Sequence, residues 1–311
     1  DGEAEGADTP DPGPAEDIAS GEGDLLDDPD APPDAPPHAE AGQDRPGLVL
    51  DGTGDSDLIS GNGADDLVRG ASGDDQLDGR DGADTLDGQT GDDILYGARG
   101  DDLLIGAAGN DSAQGGDGDD TAQGGDGDDS LAGQEGDDRL TGDEGADTLV
   151  GGAGNDTLAG DAGDDWLAGG FGDDILTGAA GADTLDGNDG NDTIRGQDGW
   201  SDFLNGGAGD DALHLGAGDH GNGGTGADKF SLDAPQPSGA LATIGDYVPG
   251  EDEIVVLYDA AAHPAPAITV VTQPGSADAT LFLDGLPLAR VTGGAGMDPA
   301  LVRLVAEALA A

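Results

Sequence analysis

Gly151-Gly152-Ala153-Gly154-Asn155-Asp156-Thr157-Leu158-Ala159 is one copy of a nine-residue unit. Stepping by nine in both directions gives sixteen consecutive units from Gly52 to Arg195, without insertion or deletion. Position one is Gly in all sixteen. Position six is Asp in all sixteen: Asp57, Asp66, Asp75, Asp84, Asp93, Asp102, Asp111, Asp120, Asp129, Asp138, Asp147, Asp156, Asp165, Asp174, Asp183 and Asp192. Position four is Gly in fourteen, with Asp55 and Ala64 as exceptions, and position eight is a large aliphatic in fourteen, with Ala113 and Ala122 as exceptions. A fixed short period of this length marks a repeat architecture in which each unit buries its apolar side against its neighbours.

Composition narrows the function. The 69 acidic residues against 9 basic leave a formal charge of −60. Such a chain lacks the Lys and Arg that phosphate binding needs, which excludes nucleic acid and anionic membrane surfaces as partners. Cysteine is absent, so disulfides and thiolate metal sites play no part. With 62 glycines and 3 % aromatics, a conventional globular core is not expected. No apolar run approaches the roughly 18 residues of a membrane span. The sequence opens with Asp1 and has Met297 as its single methionine, as expected of a processed form or a fragment.

The unit resembles the G-G-x-G-x-D-x-U-x repeat of the RTX (repeats-in-toxin, haemolysin-type) calcium-binding proteins. The resemblance covers residues 52–231. It implies an all-β fold, a parallel β-roll with two nonapeptide units per coil. The first six positions of a unit would form a turn and the last three a strand. Calcium would lie between turns stacked on the same side, pairing unit n with unit n+2. The implied ligands are the sixteen position-six aspartates, followed after Arg195 by Asp202, Asp211 and Asp228. In that looser stretch, residues 196–205 carry one extra residue around Trp200 and Ser201. Residues 215–222 are one residue short, with His220 where Asp is expected.

Elementary chemistry agrees with this reading. Calcium takes 6–8 oxygens from carboxylates, carbonyls and water. Gly at positions one and four is expected to permit positive φ and turn carbonyls inward, and Asp at position six adds a carboxylate. Sixteen units contain 16 − 2 = 14 stacked pairs, so about 14 ions is the ceiling for the unbroken run. Acids at position five, such as Asp74, Asp92, Asp101, Asp119 and Asp128, are expected to face solvent. Without calcium the stacked carboxylates repel one another, and the chain is expected to be a swollen polyanion. The function read from the sequence is therefore calcium binding that folds a secreted, extracellular protein after export.

Three segments follow. Residues 1–46 hold nine of the 17 prolines and read as a disordered acidic leader. Residues 47–231 are the roll, with a first strand at 47–51 covering its open end. Residues 232–311 read as a strand-rich cap: strands at 253–257 and 268–272, a hairpin through Asp284-Gly285, and a short amphipathic helix from Asp298 to Ala310. That tail reads two ways, as a cap or, as the family resemblance implies, as an export signal that engages a secretion machinery.

Rival readings have less support. No H-E-x-x-H or G-x-S-x-G occurs, and His38, His214, His220 and His263 are scattered, so the chain reads as non-enzymatic. The alternatives are the non-catalytic part of a larger secreted enzyme, or a surface adhesin in contact with polysaccharide. Position three runs Asp81, Thr90, Arg99, Ala108, Asp117, which sets aside an ice-binding threonine row. Asn110-Asp111-Ser112, Asn155-Asp156-Thr157 and Asn191-Asp192-Thr193 match a glycosylation acceptor, but each places its Asp at a ligand position. Trp166, Phe171 and Trp200 read as packing residues before a sugar-stacking patch.

Overall fold

A computed structural model describes residues 46–196, 199–233 and 240–307, all within one compact unit. The acidic leader and residues 308–311 lie outside the described residues. The fold is all-β. Successive strands alternate between two sheets, one of 13 strands and one of 14. Within the repeats each strand pairs in parallel with the strand two units away. Thr148–Ala153 lies between Ser130–Glu135 and Trp166–Phe171, with Leu149 opposite Leu131 and Leu167. That register of 18 residues is two units, so one coil is two nonapeptides, as the resemblance implies.

Period-two alternation within each strand decides what is buried. Position eight points between the sheets, where Leu131, Leu140, Leu149, Leu158, Leu167 and Leu176 form part of a continuous buried column. Positions seven and nine point outward. Ala113 and Ala122 occupy the two facing core positions of a single coil, and both are buried. That coil therefore has the least apolar volume of the column.

The strands are longer than three residues. Thr148–Ala153 covers positions seven to nine and continues through position three of the next unit. Identical corners stack, so the backbone ladder persists around the bend; Gly73 N–H, for instance, donates to the Thr90 carbonyl at 2.9 Å. The bend itself lies at positions two and four. Position two has positive φ whether it is Gly116, Ala107 (φ 82°), Gln134 (φ 89°) or Asp143 (φ 76°). Position four is Gly with φ near 130°, as at Gly91 and Gly136. Position one, expected to need positive φ, does not adopt it; its glycine has another cause, described below.

Beyond 231 the coils continue. Ala242–Ile244 and Glu253–Asp259 add in parallel to the two sheets, one to each. Ile268–Thr272, Ala279–Leu283 and Leu286–Val291 then form an antiparallel meander at the end of the larger sheet. Asp284 and Gly285, with φ of 52° and 82°, make the expected hairpin turn. The expected terminal helix is replaced by a short 3-10 turn, Pro299–Leu301, and a strand, Arg303–Glu307. Asp298 does cap the turn, accepting from Ala300 N–H at 2.9 Å. The strand then pairs in parallel with Glu253–Asp259. An open sheet edge there demands backbone partners, and alternation puts Val302 and Leu304 on the core side. Edge pairing outweighs the helical spacing. Among the described residues no helix is long and apolar enough to cross a membrane.

Candidate metal-binding site

The last residue before each strand is the position-six Asp, and the turn tucks its side chain inside the corner. From Asp66 to Asp228 these aspartates are at most 3 % exposed. They form two columns, one along each edge of the roll. In each column one carboxylate oxygen accepts from the backbone N–H of the Asp one coil earlier. Asp102 Oδ1 accepts from Asp84 N–H at 2.7 Å, and Asp138 Oδ1 accepts from Asp120 N–H at 2.8 Å. The 18-residue stagger repeats down both columns.

At fourteen of these aspartates the second oxygen has no hydrogen-bond partner. Oδ2 is buried without a hydrogen-bond partner at Asp75, Asp84, Asp93, Asp102, Asp111, Asp120, Asp129, Asp138, Asp147, Asp156, Asp165, Asp174, Asp192 and Asp211. A buried carboxylate oxygen with no donor costs free energy, so a row of them calls for a cation or a proton. Position one explains the rest of the pocket. A Cβ built at Gly70 would fall against Asp75 Oδ2 and 2.8 Å from the Gly88 carbonyl oxygen. At Gly151 the same space is bounded by Asp156 Oδ2 and, at 2.6 Å, the Gly169 carbonyl. Glycine is therefore required at position one to leave room for oxygens, and not for its φ.

These spaces are lined by carboxylate and carbonyl oxygens, which is the donor set of a hard divalent cation. No group of three or more His, Cys, Asp or Glu side chains converges among the described residues. Backbone carbonyls must supply most of a coordination shell here, and the stacked turns present them. On donor type, burial and space, the corners fit calcium.

The electrostatics point the same way. Burial is the main cause that raises these carboxyls; like-charged neighbours in the column add to it, and the hydrogen bond from the preceding Asp opposes it. Asp84, Asp93, Asp102 and Asp138 are raised from the ordinary 3.8 to about 6. Asp120, Asp129, Asp165, Asp174 and Asp211 reach about 7.

The ends of the columns differ. Asp57 Oδ2 accepts from both the backbone N–H and the hydroxyl of Thr53, and Asp66 Oδ2 from Asn62 N–H. These are the two units that lack Gly at position four, and their corners close on themselves. Asp202, Asp211 and Asp228 continue the columns; Asp183 N–H donates to Asp202 and Asp211 N–H to Asp228. Two further residues join that the sequence reading did not single out. Asp219, in place of the position expected at His220, accepts from Asp202 N–H and Gly216 N–H. Asp252 accepts from Asp228 N–H and Val248 N–H. The missed signal for Asp252 was Gly250-Glu251-Asp252 ahead of Ile254, a unit displaced by an insertion. Around Asp219 a residue is lost inside the turn. Leu215 then takes position one and fills the space left by Gly221 at position eight.

Position-five acids are exposed, as expected, but they also bond. Asp92 N–H donates to Asp74 and Asp137 N–H to Asp119, 18 residues earlier. This outer ladder runs opposite in sense to the inner one.

No curated protein matches the chain. Among solved structures it is similar to the AlgE6R3 subunit of the Azotobacter vinelandii mannuronan C5-epimerase. The identity is 26 %, over 49 % of this chain and 84 % of that one, with a TM-score of 0.29. The RTX calcium-binding nonapeptide repeat matches residues 49–77, 78–113, 114–149, 141–176, 177–200 and 201–219. That is more than half of the chain, and the repeats so matched are the ones whose corners carry the oxygen pockets. The chain belongs to the RTX calcium-binding nonapeptide repeat family.

Proposed function

We propose that the repeats are a calcium-triggered folding device of a secreted protein. Each ion is held between stacked corners by Oδ2 of position-six aspartates, from Asp75 through Asp211, together with turn carbonyls of adjacent coils. The observation that carries this is the row of buried Oδ2 atoms without hydrogen-bond partners. Asp57 and Asp66 sit at the starts of the two columns with their second oxygen already satisfied, and Asp219 and Asp252 close them with an oxygen on a local N–H. Interior sites are therefore filled in preference to terminal ones.

At millimolar calcium and a site constant of about 0.1 mM, each site contributes roughly 1.4 kcal/mol. At cytosolic calcium the same sites are empty and the carboxylates repel. Binding energy is then folding energy, and the unfolded chain is the form competent for export. The extracellular location and the use of the C-terminal residues as an export signal belong to this proposal. So does a non-catalytic role, with calcium as the sole cofactor.

The test is a calcium titration of the whole chain followed by far-UV circular dichroism and small-angle scattering, with magnesium as control. A cooperative coil-to-β transition with compaction between about 0.1 and a few millimolar calcium is expected. A chain already folded in chelator at neutral pH would refute the folding role.

A further inference from the structure

On the outer face of the larger sheet, position seven becomes largely aromatic toward the end of the repeats. Trp166, Thr184, Phe203 and His220 occupy successive position-seven sites on four neighbouring strands. Trp166 is 43 % exposed and Phe203 56 % exposed. Phe203 and His220 stack with centroids 4.9 Å apart and planes at 22°. Two residues along each strand, the position-nine row reads Asp186, Asn205 and Asn222. Asn205 donates to Asp186 at 2.8 Å, and the Asn222 amide lies within hydrogen-bond distance of both Asn205 and Asp246. Between the two rows runs an open groove of about 350 Å³.

Neither calcium nor core packing uses these side chains. Earlier in the same sheet, position seven carries Leu58, Gln76, Ile94, Ser112, Ser130 and Thr148, none of them aromatic, so the rings are a local departure from the repeat. The floor is the strand backbone, whose N–H and C=O groups are taken by the ladder, so a peptide strand finds no edge to extend. What the groove offers is aromatic faces on one wall and amide and carboxylate groups on the other. That combination suits a ring with an apolar face and a rim of hydroxyls. With strands about 4.8 Å apart, Trp166 and Phe203 are separated by about 9.6 Å across the sheet, a spacing on the scale of a disaccharide. Asp186 and Asp246, in a chain of charge −60, disfavour an acidic ligand.

We propose that this groove binds a neutral, extended polysaccharide, its pyranose rings stacking on Trp166 and Phe203 and its hydroxyls bonding to Asp186, Asn205 and Asn222. The inference rests on a folded, calcium-loaded roll, and folding is read separately from binding. The whole chain is run in native gels containing hydroxyethylcellulose, glucomannan or polygalacturonate, with calcium present, and circular dichroism is recorded in the same buffer. Retardation by at least one neutral polymer is expected. Trp166→Ala and Phe203→Ala should each weaken it about tenfold, whereas Phe171→Ala, which removes an exposed ring outside the groove, should not.

No retardation by either neutral polymer, retardation only by polygalacturonate, or full binding by both groove variants would each overturn the proposal. So would a dimer that Trp166→Ala converts to monomer, which would assign the groove to a second copy of the chain. Folding without calcium would defeat the folding reading alone and leave the binding result to stand.

Discussion

Asp138→Asn should move the metal-free and calcium-loaded rolls in opposite directions. Asp138 sits mid-column, 2 % exposed, with Oδ1 accepting from Asp120 N–H at 2.8 Å and Oδ2 without a partner. Asparagine keeps the accepting oxygen and replaces the orphaned one by an NH2 that can donate to the turn carbonyls around it. In the metal-free roll at pH 7.5 the native carboxylate is charged against the preference of its site. Burial, followed by the neighbours Asp156, Asp119 and Asp137, raises it from 3.8 to about 6 against the opposing Asp120 hydrogen bond. That difference corresponds to at most about 3 kcal/mol, and solvent screening reduces it to about 1–2 kcal/mol. The variant removes this cost, so the metal-free fold gains stability.

With calcium the sign reverses. An interior Asp is shared by the corners above and below it, so the variant weakens up to two sites at roughly 1.4 kcal/mol each. Folding in chelator is driven with an excluded osmolyte such as TMAO, and folding in calcium by titration, both read by far-UV circular dichroism. The expected result is a lower osmolyte midpoint and a higher calcium midpoint than the native chain. Destabilisation under both conditions would mean that Asp138 is a hydrogen-bonded strut and not a ligand, and would refute the reasoning.

Four further outcomes are expected. Because the folded-state carboxyls are raised to about 6 or 7, protons favour the folded state. The metal-free roll should therefore gain β-structure as pH falls from about 7.5 to about 4, and a calcium-free chain that stays coil at pH 4.5 would contradict this. Gly142→Ala puts a Cβ against Asp147 Oδ2 and 2.8 Å from the Gly160 carbonyl. It should cost about 1–3 kcal/mol and raise the calcium midpoint; an unchanged midpoint would argue against the pocket. Ala107→Gly relieves a φ of 82° and should raise the thermal midpoint of the loaded roll by the equivalent of up to about 1 kcal/mol, checked by calorimetry. Hydrogen exchange should find Ser112–Asp117 and Thr121–Asp126 the least protected interior strands, since Ala113 and Ala122 thin the core there; uniform protection would refute it.

The period carried most of the fold. Once position eight is aliphatic and position six is Asp for sixteen units, pairing in steps of nine follows, because a slip by one residue would turn Leu131 or Leu149 out of the core. That the step is 18 is implied by the family resemblance and not by the period. The roles of the glycines were less legible. Position two carries positive φ in residues as different as Arg80, Gln89 and Asp161. Stacked corners impose that conformation from outside the residue, so composition at position two gives no hint of it. The end of the chain misled for a related reason. Residues 301–310 satisfy both a helical and an alternating pattern. The choice belonged to the open edge of Glu253–Asp259, which lies some fifty residues earlier in the sequence.

The three conserved-looking features of a corner thus have separate physical causes, and the units that break the pattern show which cause serves the metal. Where position four is not Gly, as at Asp55 and Ala64, the coil still stacks, but the Asp turns its second oxygen to the local backbone. Where position one is Leu215, the following Asp219 likewise takes a local donor, Gly216 N–H. The fold therefore tolerates loss of either glycine; the unpartnered oxygen does not survive it. The coils at Asp55, Ala64 and Leu215 still stack through the ladder, whereas among the described residues the orphaned Oδ2 atoms occur where positions one and four are both Gly. At position four the solenoid has its own reason for glycine, since a Cβ at Gly91 would fall against the Gly73 carbonyl oxygen of the stacked corner. At position one the space is bounded by the orphaned Oδ2 and a turn carbonyl. Retention of glycine at position one through fourteen units from Gly70 to Gly187 is the pattern expected if the open oxygen pocket holds a cation.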